Sequence, residues 1–262
     1  MHTKNSLIDD IKKAGIQSTE TLLIHSSMKS IGEVKGGADT VLDAFIEYMA
    51  DGLLLFPTHS WSSKSLKDGI FNPKTEPSCV GILTNLFMKR ENCYRSMHPT
   101  HSVAAMGKRA SSFVKRDNGA VTPCPKGGCF SALYDEDASI LFLGAPLTTN
   151  TFIHSVEEKL NLPNRISEKP RKIKIVCKDG KVIDSEIYPH SSTKGDVSQN
   201  YGKLLSPMLK LGIAKAVKIG DANSYLVKVR PMADFVTRLL TKDPNLFDND
   251  KEIEESHMKT LQ

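Results

Sequence analysis

The sequence has no long apolar run, which excludes a helical membrane protein. None of its apolar runs approaches the roughly 18 residues that a membrane-spanning helix needs. The first residues, Met1 to Ser6, lack the apolar core of a secretory signal peptide. With 39% hydrophobic and 25% charged residues, the composition is typical of a soluble globular protein. We therefore expect a cytoplasmic location and no membrane partner.

Paired cysteine motifs are also absent. The five cysteines are an odd number, widely spaced and without a CxxC pair, which argues against a disulfide framework and against a zinc ribbon. His98 and His101 lie close enough in the chain to suggest a zinc site, but the sequence offers no nearby third ligand. The prediction is that the thiols are free and that no metal is bound.

Strongly basic segments and internal repeats are lacking too. The net charge is only +5 and the lysines are distributed along the chain, so nucleic acid is not the expected partner, whereas a phosphorylated ligand is compatible with this charge. A chain of 262 residues without repeats fits one domain over residues 1–262. The charged segment from about residue 243 is expected to be a mobile tail.

The order of apolar runs and helical patterns predicts an α/β fold. A strand at 21–25, a helix at 38–49 and a buried strand at 52–58 follow one another, and a further apolar strand covers 138–145. The alternating segments on either side of Asp179-Gly180 indicate an antiparallel hairpin in the C-terminal half. Together they predict a central mixed sheet with flanking helices and this hairpin.

Four further segments carry expectations about local structure. Residues 80–90 and 201–211 show helical patterns, and Pro231 is expected to open a last helix that ends at Leu240. The polar stretch 59–77, which holds the only tryptophan, Trp61, reads as a long irregular loop. Arg95 is a candidate clamp for a phosphate or carboxylate, with a surface ion pair as the alternative.

The turn from Ser26 to Gly32 is rich in hydroxyls and small residues and follows a strand. Serine hydroxyls and backbone N–H groups at such a position can bind an anion. It matches neither a phosphate-binding loop of nucleotide hydrolases nor a dinucleotide fingerprint. An ordinary strand-to-helix connection therefore remains the alternative.

The stretch from Asn150 to Glu158 is where the sequence places chemistry. It follows a buried strand, and the carboxyl ends of strands are the usual site position in α/β proteins. Asn150 or Thr151 can cap the helix, and the i, i+3 spacing sets His154 and Glu157 on one face. A carboxylate beside an imidazole raises its basicity, as a general base for amine acylation requires. An ordinary surface pair is the alternative.

Taken together, these segments resemble the aminoglycoside 3-N-acetyltransferase family, over roughly residues 5 to 240. Each motif is short, but their order is the family's. They are Ile24 to Gly32, Gly36-Gly37-Ala38-Asp39, Phe56-Pro57-Thr58, Arg95 with His98-Pro99 and Ser102, Leu143 to Leu147, Asn150-Thr151 through His154 to Glu157, and Tyr201-Gly202.

The resemblance implies a single α/β domain of the antibiotic N-acetyltransferase type. It also implies direct transfer of an acetyl group from acetyl-coenzyme A to an amine, by resemblance the 3-amine of an aminoglycoside, with His154 and Glu157 as the catalytic residues. The implied coenzyme A contacts are Ser26, Ser27, Met28, Lys29, Ile31, Gly32, Ser102 and Val103. The implied substrate contacts are Thr151, Glu158 and His190. The resemblance leaves a homodimer open.

One segment departs from the family pattern. Resistance enzymes of the family tend to carry an acidic stretch after the hairpin, whereas this chain has Tyr188-Pro189-His190-Ser191-Ser192-Thr193-Lys194-Gly195. Losing carboxylates weakens the attraction for a polycation. The same-class alternative is therefore an acyltransferase for a non-antibiotic amine. Two other classes stay open: a metal-dependent hydrolase using His98, His101 and His154, and a non-catalytic coenzyme-binding module.

Overall fold

The central strand of the molecule, β1, is a run of apolar residues beginning at Thr21. In a computed structural model, which describes residues 1–254, this strand is flanked on both sides by parallel neighbours. The strands are β1 (Thr21–Ser26), β2 (Leu53–Pro57), β3 (Ile70–Phe71), β4 (Tyr94–Arg95), β5 (Val103–Gly107), β6 (Ser139–Leu143), β7 (Arg171–Val176), β8 (Val182–Ile187), β9 (Ala214–Ile219) and β10 (Ala222–Lys228).

The helices connect these strands and cover both faces of the main sheet. They are α1 (Lys4–Ala14), α2 (Gly37–Tyr48), α3 (Lys64–Lys67), α4 (Ile82–Phe87), α5 (Ala110–Phe113), α6 (Cys129–Asp135), α7 (Phe152–Lys159), α8 (Leu205–Lys210) and α9 (Val229–Lys242). Short 3₁₀ segments lie at Met28–Ile31, Val114–Asp117, Leu147–Thr149 and Val197–Leu204. Within residues 1–254, no helix is both long and apolar enough to cross a bilayer.

The main sheet has seven strands in the order β4-β5-β2-β1-β6-β10-β9. Strands β2, β1 and β6 are parallel, while the strands on either side of this trio pair antiparallel. The predicted α/β fold with a central mixed sheet is thereby confirmed. The antiparallel strands at both ends of the sheet leave the parallel trio in its middle, where both faces are covered.

Successive side chains of β1 and β2 point to opposite faces of the sheet, and both faces are buried, which explains why the two strands are apolar throughout. Leu23 points into a core that includes α6, α7 and α9, whereas Leu22 and Ile24 point into a second core beneath α1 and α2. Leu53 and Leu55 of β2 join the first core, and its neighbours Leu54 and Phe56 join the second. A sheet buried on both faces needs apolar residues at every position, which is the pattern that the sequence shows.

The predicted hairpin forms as β7 and β8, but in a separate sheet with β3. Strand β3 pairs in parallel with β7, and Phe71, Ile173 and Ile187 bury a small core beneath this sheet. The prediction that residues 59–77 form an irregular loop is wrong, since they contain α3 and β3. These elements are too short to give a periodic pattern, and pairing with a distant hairpin orders them.

Two predicted helix boundaries are wrong, both near prolines. The segment predicted as one helix over 201–211 is a 3₁₀ segment followed by α8, which begins at Leu205. Pro207 is the third residue of α8, a position in the first turn where its missing N–H costs no hydrogen bond. Likewise α9 begins at Val229 and places Pro231 in its first turn, two residues after the start.

The prediction of a mobile tail from about residue 243 is wrong for residues 243–248. Phe247 is fully buried and stacks edge-on against Tyr201, at 4.7 Å between ring centroids. The Lys203 ammonium donates to the carbonyl oxygens of Leu246 and Asn249, at 2.9 and 2.6 Å. The charged residues of segment 243–248 suggested that it is solvated. Its two apolar residues, Leu246 and Phe247, are instead buried and hold the segment against the protein. The predicted tail beyond residue 254 lies outside the described residues.

Candidate active site

The functional edge of the sheet is set by the carboxyl ends of three parallel strands. Strand β1 ends at Ser26, β2 at Pro57 and β6 at Leu143. Because parallel strands end on the same edge, the segments 26–32, 58–61 and 144–151 are brought together. Sequence alone placed the first and last of these at strand ends, and the sheet order makes them neighbours.

The Ser26 to Gly32 turn packs directly on the end of β6. Ser27 donates its backbone N–H to the Leu143 carbonyl at 2.9 Å, and the Ser30 hydroxyl donates to the Gly144 carbonyl at 3.2 Å. Gly144 has a φ of +63°, and a side chain there would overlap Ser30, so only glycine fits this close approach. The turn is thus held firmly beside the start of α7.

The residues of this turn differ in accessibility. Ser26, Ser27 and Met28 are half-buried and Lys29 is exposed, whereas the Ile31 side chain is completely buried in the core. Ile31 therefore offers a ligand only its backbone. The proposed contacts Ser102 and Val103 are buried as well, and the Ser102 hydroxyl is bonded to Thr58 and accepts from Arg95 Nε at 3.0 Å. These two residues belong to the support beneath the site.

Arg95 is neither a ligand clamp nor a surface ion pair. It is buried, and its guanidinium donates to Thr58, to Ser102 and to the carbonyl oxygens of Pro73 and Glu76. Burial lowers the pKa of Arg95 to about 10. These hydrogen bonds tie the loop before α4 to the end of β2, a structural role that the sequence did not reveal.

The predicted cap of α7 is wrong. Thr151 stands before the first helical residue with helical backbone angles, φ −60° and ψ −27°, and its side chain makes no capping bond. Instead its hydroxyl lies 2.9 Å from His59 Nε2. The Asn150 amide nitrogen faces Met232 Sδ at 3.3 Å. A preceding 3₁₀ turn already bends the chain into the helix, so both polar side chains are left for other contacts.

His154 and Glu157 pair as their spacing predicts. His154 Nδ1 lies 2.8 Å from Glu157 Oε2, and the Glu157 side chain is 1% exposed. The alternative of an ordinary surface pair is therefore wrong. Since Glu157 engages Nδ1, Nε2 is the ring nitrogen left for a substrate. A carboxylate in this position fixes the imidazole tautomer and orientation.

A closed polar network stands behind this pair. Tyr201 donates to Glu157 Oε2 at 2.8 Å, and Arg165 Nε donates to Glu157 Oε1 at 2.9 Å. Arg165 Nη2 in turn contacts Asp248 Oδ1 at 2.8 Å. Burial acts to raise the pKa of Glu157, but the bond to His154, the charge of Arg165 and the Tyr201 hydroxyl outweigh it and lower the pKa. Glu157 is therefore an ionised carboxylate.

Glu158 faces a different environment from its neighbour. It accepts from the Thr122 hydroxyl at 2.6 Å and from the Cys124 backbone N–H at 2.7 Å, and His190 Nε2 lies 3.3 Å away. Burial raises the pKa of Glu158. Its oxygens are thus occupied by the 122–124 segment and by His190, which makes it a positioning group rather than an open carboxylate.

Histidines form most of the aromatic wall of the site. The rings of His154 and His190 are 3.9 Å apart, and His101 lies 4.9 Å from His190 and 4.8 Å from His59. Trp61 stacks on His59 at 4.4 Å. Burial lowers the pKa of His59, His101 and His190 well below 6.5, so all three rings are neutral at pH 7.

Two cavities meet at His154. The larger, about 510 Å³, is lined by Trp61, His101, His190, Ser191 and Ser192 together with other residues of the segment after the hairpin. The smaller, about 250 Å³, is lined by residues next to the functional edge of the sheet, including His25, Ser26, His59, Asn150 and Thr151. His154, His101, Trp61, Asp196 and Ser198 line both. Both cavities therefore border His154.

The histidines proposed as metal ligands do not gather into one site. His98 accepts at Nδ1 from the backbone N–H groups of Thr100 and His101, at 3.2 and 2.9 Å, and so stabilises a turn. Over residues 1–254, the group of three potential ligand atoms within 4.8 Å of one another is Cys124, Glu158 and His190. Burial raises the pKa of the Cys124 thiol well above 9.0, which disfavours the thiolate that a metal requires.

Sequence reasoning missed several residues of the site. His25 and His59 lie at the ends of β1 and β2, where their strand-end positions were a usable signal. Arg165 and Asp248 gave none, because they meet Glu157 only through the packing of distant loops. Asp196 directly follows the segment 188–195 that departs from the family pattern, but its place at the cavity depends on the 3₁₀ segment that begins at Val197.

Solved structures share this fold over nearly the whole chain. The apoenzyme of aminoglycoside acetyltransferase AAC(3)-IVa superposes with a TM-score of 0.80 at 22% identity, covering 94% of this chain and 91% of the other. The structure described as AAC-IIIb binary with CoASH gives a TM-score of 0.79 at 21% identity and covers 92% and 96% of the two chains. At this identity the likeness shows the fold alone, a single α/β domain with a central mixed sheet.

Sequence relatives carry the comparison further. The aminoglycoside N(3′)-acetyltransferase-like protein YokD of Bacillus subtilis (strain 168), derived from the SPbeta prophage, is 26% identical over 90% of this chain and 91% of its own. Aminoglycoside N(3)-acetyltransferase III of Acinetobacter baumannii is 24% identical over 92% of each chain. The family model for aminoglycoside 3-N-acetyltransferase matches residues 23–241. The chain belongs to this family of acyltransferases.

Proposed function

We propose that this protein transfers the acetyl group of acetyl-coenzyme A to a primary amine, by resemblance the 3-amine of an aminoglycoside. The observation that carries the proposal is the position of His154, which lies where two cavities meet and has Nδ1 held by Glu157. Direct transfer needs donor and acceptor to reach one base from two sides. A covalent acyl-enzyme is not required by this geometry.

In this reaction His154 alone carries the proton from the amine to the leaving thiolate. The amine nitrogen attacks the thioester carbonyl carbon, a C–N bond forms, and the C–S bond breaks to release the coenzyme thiolate. His154 Nε2 takes the proton that the amine loses and passes it to that thiolate. Glu157, kept ionised by Arg165 and by Tyr201, stabilises the imidazolium in between.

The smaller cavity is proposed as the donor side. Ser26 lines this cavity. The same turn continues through Ser27, Met28 and Lys29 to Ile31 and Gly32, which offer their backbone. The exposed Lys29 supplies a cation for a phosphate, and Ser26 and Ser27 supply hydroxyls. Val103 pairs with Pro57 beside β2 in the sheet, and it and the preceding Ser102 are buried, so both are proposed only as support for this side.

The larger cavity is proposed as the acceptor side, with His190 and the end of α7 as its inner wall. Thr151 and Glu158 act from behind this wall, through His59 and His190. If His154 is not the base, His190 is the next candidate, because it is the imidazole nearest to it in the cavity, with ring centroids 3.9 Å apart.

A second acceptor class is favoured by the charge of this cavity. Among its described lining residues, exposed Asp196 is the single carboxylate, and Arg165 is a buried cation whose charge is matched by Glu157 and Asp248. A polycationic drug needs several carboxylates, because each ammonium removed from water without a partner costs free energy. An amine with one or two charges, able to stack on Trp61, fits these groups better.

The decisive experiment is a thiol-release assay with acetyl-coenzyme A against a panel of aminoglycosides, polyamines and aromatic monoamines. Aminoglycoside turnover is expected with Michaelis constants near or above about 1 mM, the upper end of the usual range, and these should rise with salt. Efficient, salt-independent aminoglycoside acetylation would contradict the second acceptor class. Coenzyme A should also raise the melting temperature by mass action; no shift at millimolar coenzyme would contradict the proposed function itself.

A cytoplasmic location and a homodimer remain predictions. The first calls for fractionation of cells that make the protein, and the second for light scattering of the purified chain.

A further inference from the structure

The C-terminal segment, residues 246–249, packs against the polar network behind His154. The family match ends at residue 241, so this segment lies outside it. Leu246 and Phe247 are 6% and 0% exposed, and they anchor the segment in the core. Their burial also fixes the position of Asp248, which follows them directly in the chain.

This segment contacts both of the residues that donate to Glu157. Asp248 Oδ1 accepts from Arg165 Nη2 at 2.8 Å. The Phe247 ring packs edge-on against the Tyr201 ring, with 4.7 Å between their centroids. Arg165 Nε and the Tyr201 hydroxyl donate to different oxygens of Glu157, at 2.9 and 2.8 Å. Each of these two donors is therefore in contact with the C-terminal segment.

The same segment also holds the 3₁₀ segment Val197–Leu204, which carries Tyr201. Asn200 Nδ2 donates to the Phe247 carbonyl oxygen at 2.9 Å. The Lys203 ammonium donates to two further carbonyl oxygens of the C-terminal segment, at 2.9 and 2.6 Å. Because these contacts involve residues on either side of Tyr201, they restrict where its hydroxyl can lie.

Such restriction matters for a general base. A shift of about 1 Å in a catalytic group can cost on the order of 10²-fold in rate, because the reacting atoms no longer align. An arginine side chain has several rotatable bonds, and the acceptor at Asp248 holds the guanidinium of Arg165 at its Nη2 end while Glu157 holds it at Nε. Loss of Asp248 would therefore loosen Arg165, and through it Glu157 and the His154 imidazole.

We propose that Asp248 and Phe247 are positioning residues for the reaction, which hold Arg165 and Tyr201 against Glu157 and so orient His154. This inference rests on the proposed function, because it takes His154 as the base. It gives the C-terminal segment a role in turnover, in addition to its contribution to stability.

Asp248→Ala tests the proposal by removing the acceptor of Arg165 Nη2 from a side chain that is only 16% exposed. We expect kcat to fall about 10-fold while the Michaelis constant for acetyl-coenzyme A stays unchanged, because a positioning residue acts in the transition state. Asp248→Asn keeps an oxygen acceptor at the same place and should lose less than about threefold. Steady-state thiol release measures both parameters.

Glu136→Ala is the matched control. Glu136 is a carboxylate of similar exposure, 12%, and it is paired with Arg109 at 2.8 Å. It also accepts from the hydroxyl of Thr21, which begins β1 and so lies at the opposite edge of the sheet from the candidate site. The control should lose stability without losing kcat.

A double-mutant cycle shows whether the segment acts through Glu157. In the Glu157→Gln background, Asp248→Ala should change kcat by less than about twofold, because the group that it positions has already been altered. A merely structural role would give independent losses that multiply. If Asp248→Ala does not fold, Phe247→Leu replaces it in the cycle, since it keeps an apolar side chain but loses the ring contact with Tyr201.

The outcomes separate the two proposals. Unmodified protein that releases no thiol from acetyl-coenzyme A with any amine of the panel would overturn the proposed function. Active unmodified protein, with an unchanged kcat in Asp248→Ala or with losses that multiply in the double variant, would overturn the inference alone. An equal fall of kcat in Glu136→Ala would also overturn it, because it would show a general effect of lower stability.

Discussion

The two sides of His154 are built in opposite ways. On its Nδ1 side, Glu157, Tyr201, Arg165 and Asp248 satisfy one another in a closed set of hydrogen bonds and ion pairs. On the side of the smaller cavity, three buried polar atoms have no partner in the described chain. The difference is physical: a closed network fixes the orientation of a side chain, whereas the other side leaves hydrogen-bonding capacity of buried groups unused.

The closed network is also the part that depends on the most distant segments. Asp248 and Phe247 lie beyond residue 241, where the family match ends, yet they contact Arg165 and Tyr201. The cavity side is instead made by segments that follow β1, β2 and β6 directly. The orientation of His154 thus rests on long-range packing, whereas the lining of the smaller cavity rests on the topology of the sheet.

His154 lies between the two sides, and His154→Ala should have the largest effect on turnover. Removing the base should lower the turnover number by about 10²- to 10⁴-fold, because the base acts in the transition state. Affinity for coenzyme A should stay nearly intact, since the donor contacts are elsewhere. Single-turnover kinetics and calorimetry on the same preparation measure the two quantities.

Glu157→Gln is the companion variant, and it should cost less than His154→Ala because the base itself remains. Near-normal turnover of His154→Ala at saturating substrate would transfer the role of base to His190.

Arg165→Met should be the most destabilising change in the closed network. It leaves Glu157, which is 1% exposed, as a buried carboxylate without its cation, and breaking a buried ion pair in this way costs about 3–5 kcal/mol. Urea unfolding would measure the loss. Asp248→Asn, which removes the more exposed partner at 16%, is the control and should cost only about 1 kcal/mol. Equal losses in the two variants would mean that Glu157 does not depend on Arg165.

Taken per pH unit, a smaller effect than that of Arg165→Met is expected from a pH dependence that distinguishes the two sides. Burial lowers the pKa of His25 to about 3 from 6.5, so below pH 6.5 the unfolded chain binds a proton there that the folded chain does not. The free energy of unfolding should therefore fall by about 1.4 kcal/mol per pH unit from this residue as pH drops from 6.5 toward 3. Unfolding of His25→Phe should show a slope smaller by this amount.

The carboxylate side responds in a lower window. The pKa of Glu157 is lowered from 4.5, so its contribution to stability is complete above pH 4.5 and is lost as pH falls further.

An unchanged slope in His25→Phe between pH 6.5 and 5 would show that His25 is protonated in the folded protein.

Periodicity along the chain determined much of the fold and one candidate catalytic pair. Apolar strands at 21–26, 53–57 and 139–143 and the hairpin at 171–187 are where their patterns predicted them, because a strand buried on both faces needs uniformly apolar residues. The spacing of His154 and Glu157 fixed their contact, since helix geometry alone sets residues three apart side by side. The order of short motifs along the chain also carried the resemblance to the family.

Tertiary structure alone decided everything that depends on two distant segments meeting. The pairing of Arg165 with Glu157 and Asp248, the docking of Phe247 on Tyr201 and the ordering of 64–71 by β7 join residues far apart in the chain. The burial of Ser102 and Val103 and the unpartnered atoms of His25, His59 and Asn150 also follow from the sheet order. The physical reason is that burial and hydrogen-bond partners are properties of packed surroundings, which no local spacing encodes.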